Sequence, residues 1–363
     1  MNIQLHNSFC RSLGIEVPIL LAGMAGGPAT PELAAAVSKA GGLGTLGAAY
    51  MTPEEIDQAI RQIRSMTDRP FAVNLFVPCP EPKAVLTESL QNLLNQIRRE
   101  VGLKPVSGDL PLHSETFHEQ FAVLLDHRVP VISSAFGILP EQQLKLAHEA
   151  GAKVVTMVTS IREAILAERS GCDFIVAQGY EAGGHRGTFV LDGRPEGIGI
   201  GTLALVPQIS DRVRIPVVAA GGIMDGRGLV ASLVLGAQGV QLGTRFLTAA
   251  ESGAHPAYQA ALSSASKSED APTVITRVFS GRPARGIRNR FVEVMEASPA
   301  EPLPFPLQND VTRDIRKAAA NRSDAEYMSL WAGQNVPLIR TGETAAGIIQ
   351  SIVREAEAIL NGS

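Results

Sequence analysis

Residues 153–179 read KVVTMVTSIREAILAERSGCDFIVAQG. The two ends, Lys153–Val158 and Phe174–Gly179, are short and almost continuously apolar, as expected of parallel strands covered on both faces. Between them Ile161–Ser170 carries a helical pattern, and Gly171 stops it. A strand, a helix and a second strand in so short a span make one βαβ unit.

Outward from that unit the pattern repeats. Pro18–Met24 (PILLAGM), Gly44–Gly47, Phe71–Val77 (FAVNLFV) and Val131–Phe136 (VISSAF) read as buried strands before it, and Pro216–Gly221 (PVVAAG) and Gly239–Phe246 (GVQLGTRF) as strands after it. Amphipathic segments alternate with them at Pro31–Ala40, Pro53–Met66, Pro140–Ala150 and Gly226–Gly236. Thr30 before Pro31, and Thr52 before Pro53, have the form of an N-cap followed by proline in the first helical position. Gly151 and Gly236 read as helix stops. Eight such strands at even spacing predict an α/β fold, a closed (β/α)8 TIM barrel, rather than an open doubly wound sheet. The barrel is expected over residues 1–250. It should carry an insertion at 83–128, after the third strand, in which LKPVSGDLPLHS looks like a loop between two helices. Residues 251–363, with helical patterns near 311–330 and 343–360, are expected to form a C-terminal lid or extension on the barrel mouth.

Composition narrows the function classes. With 45% hydrophobic and 19% charged residues among 363, the chain can bury a large core, so a disordered or fibrous protein is excluded. A net charge of −4 without a basic cluster gives no footprint for nucleic acid. The polar N-terminus and the lack of a long apolar run predict neither a secretory signal nor a membrane span. Three cysteines, Cys10, Cys79 and Cys172, form no disulfide framework, which suits a cytoplasmic protein. Cys172 reads as core, and Cys79 is better taken as structural than as reactive.

In a barrel the chemistry sits at the C-terminal strand ends. Here those ends are Gly23–Gly27, Asn74, Gln178 onward, Gly221–Gly222 and Gly243–Thr244. Glycine lets backbone approach a flat cofactor closely, although glycine also serves ordinary turns. Loops after the last two strands commonly hold a phosphate, so a monophosphate cofactor such as FMN or a phosphorylated substrate would suit them equally. No G-x-G-x-x-G follows the first strand, and a Rossmann domain has no support. QGYEAGGHRGTF, at 178–189, sets His185 on a glycine-rich loop at the catalytic face, within reach of a substrate proton. The other histidines, at 6, 113, 118, 127, 148 and 255, lack metal-ligand spacing, and no metal site is expected. His113 and His118, with Glu115 and Glu119, read as a solvated helix face. Arg282, Arg285 and Arg288 in SGRPARGIRN read as pinning the tail to the barrel by ion pairs. Trp331, the only tryptophan, is a suitable wall for an aromatic ring.

These segments together resemble the class I nitronate monooxygenases, formerly called 2-nitropropane dioxygenases. The resemblance runs from PILLAGMAGG through FAVNLF, SSAFG and VAQGYEAGGHRGTF to PVVAAGGI, GVQLGTRFL, SGRPARGIRN and LWAGQ. EAGGHRGTF discriminates most. Gly23 departs from the pattern, standing where the family usually has proline. The resemblance implies an FMN-dependent flavoprotein that oxidises alkyl nitronates, such as propionate 3-nitronate, with O2, without reduced nicotinamide. It implies FMN contacts from Met24, Asn74, Gln178, Gly183, Gly221, Gly222, Gln241, Leu242, Gly243 and Thr244, with Trp331 and Gln334 closing over the cofactor, and His185 as the active-site histidine. Whether His185 would act as a base or as an electrostatic partner stays open. Two other readings compete: an NAD(P)H-dependent quinone or enoyl-thioester reductase on the same barrel, and a flavin-free phosphate-binding isomerase or lyase.

Overall fold

The computed structural model describes residues 3–78, 84–107, 116–194, 196–269 and 273–362. Cys79, His113, Glu115 and part of the 83–128 insertion lie outside the described residues. The strands are β1 (Ile19–Leu21), β2 (Gly44–Gly47), β3 (Phe71–Phe76), β4 (Val131–Ala135), β5 (Lys153–Val158), β6 (Phe174–Gln178), β7 (Gly184–His185), β8 (Val217–Ala220), β9 (Gly239–Leu242), β10 (Thr273–Thr276) and β11 (Ala284–Ile287). Eight of them form one parallel sheet in the order β1-β9-β8-β6-β5-β4-β3-β2. A parallel bridge between Leu20 and Leu43 joins its edges and nearly closes a (β/α)8 barrel. Thr30 and Thr52 cap their helices as expected, Thr52 through a reciprocal capping box with Glu55.

Strand alternation sorts the side chains. One parity, including Leu20, Ala72, Val131, Val155, Phe174, Val176 and Val218, fills the barrel interior, which the helix Ser8–Leu13 plugs from below with Phe9 and Cys10. The opposite parity packs outward beneath the helices in the main core. Moving up the strands, the inward series reaches Asn74, Ser133, Met157, Gln178, Ala220 and Gln241, which surround the mouth.

The tail builds two things. Strands β10, β11 and β7 form a small antiparallel sheet, so the His185 loop is stitched to the C-terminal third. Around it a second core gathers Tyr258, Phe279, Phe291, Ile315 and Leu330, together with Leu90, Leu94 and Ile97 from the helix Glu88–Glu100. The first helix of the 83–128 insertion therefore belongs to this cap, tied on by Arg98 to Asp314 at 2.8 Å. Its second helix, Phe117–Asp126, packs on the barrel. The last helix, Ala345–Leu360, lies between the helices Gly226–Val234 and Pro31–Lys39 and buries Ile348, Ile349 and Ile352 in the barrel core. Gly226 permits that approach, because a Cβ there would meet the Ala356 nitrogen at 2.4 Å.

Candidate functional site

A cavity of about 1180 Å³ opens at the C-terminal strand ends beneath the tail. That exceeds the roughly 300–1,000 Å³ of a pocket for one small molecule, leaving room for a cofactor and a substrate together. Met24, Asn74, Gln178, Gly183, His185, Gly221, Gly222, Gln241, Leu242, Gly243, Thr244 and Trp331 all line it. Gln334 does not. Its N–H donates to the Glu181 carbonyl at 2.9 Å, and its neighbours Gly333 and Asn335 form the wall instead.

The first strand ends meet through a close contact. A Cβ at Gly23 would lie 2.4 Å from that of Asn74, so glycine here lets the Asn74 side chain lean inward, where its amide donates to Ser133 Oγ at 3.0 Å. On the far side the chain after β8 turns through Gly221 and Gly222 at positive φ. The chain after β9 enters a short 3-10 turn, Thr244–Phe246, with no side-chain cap. Among the described residues no hydrogen bond engages the N–H of Gly222, Ile223 or Thr244, which leaves donors for an anion beside the cavity.

His185 sits on β7 opposite Ala284. Its Nε2 lies 2.8 Å from Ser280 Oγ, and its ring is walled by Trp331, Phe136 and Phe76 at 5.3, 5.5 and 6.3 Å between centroids. Enclosure among these rings, and then the Arg282 and Arg316 cations, push its pKa down to about 3, so the imidazole is neutral at physiological pH. Gln178 braces the loop. Its amide nitrogen donates to the His185 carbonyl at 2.9 Å, and its amide oxygen accepts from Gly187 N at 2.9 Å. Fully buried Arg186 donates to the carbonyls of Gly179 and Gln178 and so secures the end of β6. Buried Glu163 anchors the far side, accepting from Thr188 Oγ1 and from the N–H groups of Phe189 and Val190.

The tail arginines act mainly through carbonyls and rings. Arg282 lies 3.9 Å over the Phe136 ring and donates to the Thr188 carbonyl. Arg285 donates to the Tyr180 carbonyl, whereas Arg288 pairs with Glu296 within the tail. Sequence reasoning missed Tyr50, Phe76, Phe136, Met157, Ser280, Arg313 and Arg316 of the cavity wall. For Phe76 and Met157 a signal was available: each falls on the inward parity of its strand. Ser280 and Arg316 come from the tail, where only the fold brings them to the mouth. Among the described residues no cluster of His, Cys, Asp and Glu is placed to hold a metal ion. Cys10 and Cys172 are buried thiols whose pKa burial raises.

The family model described as nitronate monooxygenase matches residues 8–355. Two curated relatives, each named "Probable nitronate monooxygenase", come from Staphylococcus saprophyticus and Staphylococcus haemolyticus. The first is 43% identical over 352 residues, covering 96% of this chain and 97% of that protein. The second is 40% identical over 358 residues, covering 98% of each. Among solved structures, nitroalkane oxidase from Streptomyces ansochromogenes superposes with a TM-score of 0.89 at 39% identity, covering 98% of this chain and all of that one. FabK from Thermotoga maritima superposes with a TM-score of 0.77 at 32% identity, covering 99% and 98%.

Proposed function

The chain belongs to the nitronate monooxygenase family and is an oxidoreductase, and from that premise we propose that it holds FMN in the barrel mouth. Its reaction in this reading is oxidation of small alkyl nitronates, such as propionate 3-nitronate, by O2 to carbonyl compounds and nitrogen oxides. The observation that carries the reading is the His185 ring, fixed between Trp331, Phe136 and Ser280 at the edge of a cavity large enough for two molecules.

The residues fit a flavin mononucleotide. The unengaged N–H groups of Gly222, Ile223 and Thr244 suit a monophosphate, and Gly221 and Gly243 leave the backbone open there. Met24, Asn74, Gly183, Gln241, Leu242 and Trp331 would bound the ring, with the Gln178 side chain serving first to brace the histidine loop. When bound, the flavin supplies the redox step, taking reducing equivalents from the nitronate and passing them to O2.

The chain's own work is positioning and proton control. Ser280 donates its hydroxyl proton to the Arg282 carbonyl, so Oγ accepts from His185 Nε2–H and Nδ1 keeps a lone pair. Nδ1 is then the atom that takes an α-proton from a neutral nitroalkane. A ring held near a pKa of 3 is a weak base for that purpose, which favours substrates that arrive already ionised as nitronates.

Oxygen uptake by FMN-loaded protein with propionate 3-nitronate, measured with and without NADPH, tests the reading. Uptake independent of NADPH is expected, and its absence from a fully loaded protein would overturn the proposal. Because fold alone does not fix the reaction, an NAD(P)H-dependent quinone or enoyl-thioester reductase on the same barrel is the second reading, for which anaerobic NADPH would bleach the flavin rapidly.

A further inference from the structure

The tail helix Arg313–Asn321 lends Arg313, Arg316 and Lys317 to the cavity wall. Arg313 and Lys317 are exposed, and Arg313 is paired with Asp310 at 2.5 Å. Arg316 is different. It is half-buried, its Nη2 donates to the carbonyl and side-chain oxygens of Asn309, and its Nη1 makes no hydrogen bond among the described residues. The nearby carboxylates are committed elsewhere, Asp310 to Arg313 and Asp314 to Arg98 at 2.8 Å. Desolvation opposes the charge, yet an arginine does not give it up. The result is a fixed guanidinium that makes no ion pair among the described residues, although Asp310 and Asp314 favour its charge from farther off, and it is held on the Tyr50 and His185 side of the cavity, where it contributes to the potential that keeps His185 neutral. A desolvated cation of this kind needs an anion to offset its cost, and a neutral imidazole cannot supply the positive charge that a nitronate requires. Arg282, the other cation near the ring, lies 3.9 Å over the Phe136 ring and donates to the Thr188 carbonyl.

We infer that Arg316 is the specificity-determining residue of this site, seating the anionic oxygens of the substrate so that nitronates are taken in preference to neutral nitroalkanes. The inference rests on the nitronate reading above, and the test separates the two. FMN-loaded wild type, Arg316→Gln and Arg316→Lys are compared with the propyl-1-nitronate anion and with 1-nitropropane. Nitrate, a planar oxyanion that cannot be oxidised, is titrated into each by calorimetry. For Arg316→Gln the nitronate-to-nitroalkane ratio of kcat/KM should fall about 10- to 100-fold, mainly through KM, and nitrate affinity should fall by a similar factor. Arg316→Lys keeps the charge and should keep the preference within about tenfold. An unchanged ratio and unchanged nitrate binding in the glutamine variant would overturn the inference while leaving nitronate oxidation intact. Should the glutamine variant fail to fold, a folded lysine variant with no preference for the anion overturns it equally. Wild-type protein that binds nitrate through Arg316 but oxidises no nitronate would support the anion seat and sink the functional reading instead.

Discussion

At the scale of single residues, the chemistry turns on a histidine kept uncharged. His185 is held near a pKa of 3 against an ordinary value of 6.5, first by burial and then by Arg282 and Arg316. Its protonation therefore lies below the working range, and turnover of a neutral nitroalkane should show no inflection from this group between pH 5 and pH 8. The linkage runs the same way. A depressed histidine binds its proton more readily in the unfolded chain, so the stability it contributes is complete above pH 6.5 and declines as pH falls towards 3. Melting curves of wild type and His185→Asn should show the wild type losing ground to the variant as pH drops from 7.5 to 5; a constant difference would contradict the depressed value. In the same variant, FMN should stay bound and nitronate oxidation should largely persist, while neutral nitroalkane turnover falls about 10²- to 10⁴-fold, the usual contribution of a positioned base. Unchanged nitroalkane kinetics would remove His185 from the proton transfer.

Between residues and the whole lie the elements that hold the loop in place. Glu163, with no exposed surface, ties the helix Ile161–Ser170 to residues 188–190. Glu163→Gln keeps one acceptor oxygen but sets an NH2 against donors on one side, either residues 188–190 or Thr159, and should cost about 2–4 kcal/mol in chemical denaturation. A loss below 0.5 kcal/mol would show the clamp to be idle. Gly183 presses against the tail from the other side, since a Cβ there would meet Gly333 N at 2.5 Å and Ala332 C at 2.6 Å. Gly183→Ala should lift the tail from the barrel, weaken FMN retention on dialysis by about tenfold and cost about 1–3 kcal/mol, the usual price of overpacking. The strands that frame these contacts were legible in the sequence, KVVTMV and Gly44–Gly47 to the residue. Less legible was the last one. The run Gly239–Phe246 reads as one strand, but Gly243 turns the chain, and the strand ends at Leu242 with a 3-10 turn behind it. In Val131–Phe136 hydropathy alone does not separate the inward Ser133 from its neighbour Ser134.

On the scale of the whole molecule, the tail is where local pattern says least. His185 and Gly184 pair with Ala284 and Arg285 across some hundred residues of sequence, and a two-residue strand leaves no periodic signal. The helix Ala345–Leu360 has a clear amphipathic pattern, but nothing local reveals that its apolar face fills the gap between Pro31–Lys39 and Gly226–Val234. In that position it completes the outer ring of the barrel. Ile348, Ile349 and Ile352 are each no more than 1% exposed, and burying a side chain of that size is worth about 1.5–3 kcal/mol. Three of them together approach the roughly 5–15 kcal/mol net stability of an ordinary domain. Further ties run through the preceding segment, with Arg245 on Glu343 at 2.6 Å and Glu251 accepting from Ala345 N at 2.9 Å. A chain ending at Glu343 should therefore lose cooperative thermal unfolding by circular dichroism and expose its apolar face to aggregation. The milder Ile349→Ala should lower stability by about 2–5 kcal/mol, as truncation of a packed isoleucine does. A shortened chain that melts cooperatively at the full-length temperature would show that the barrel closes without this helix.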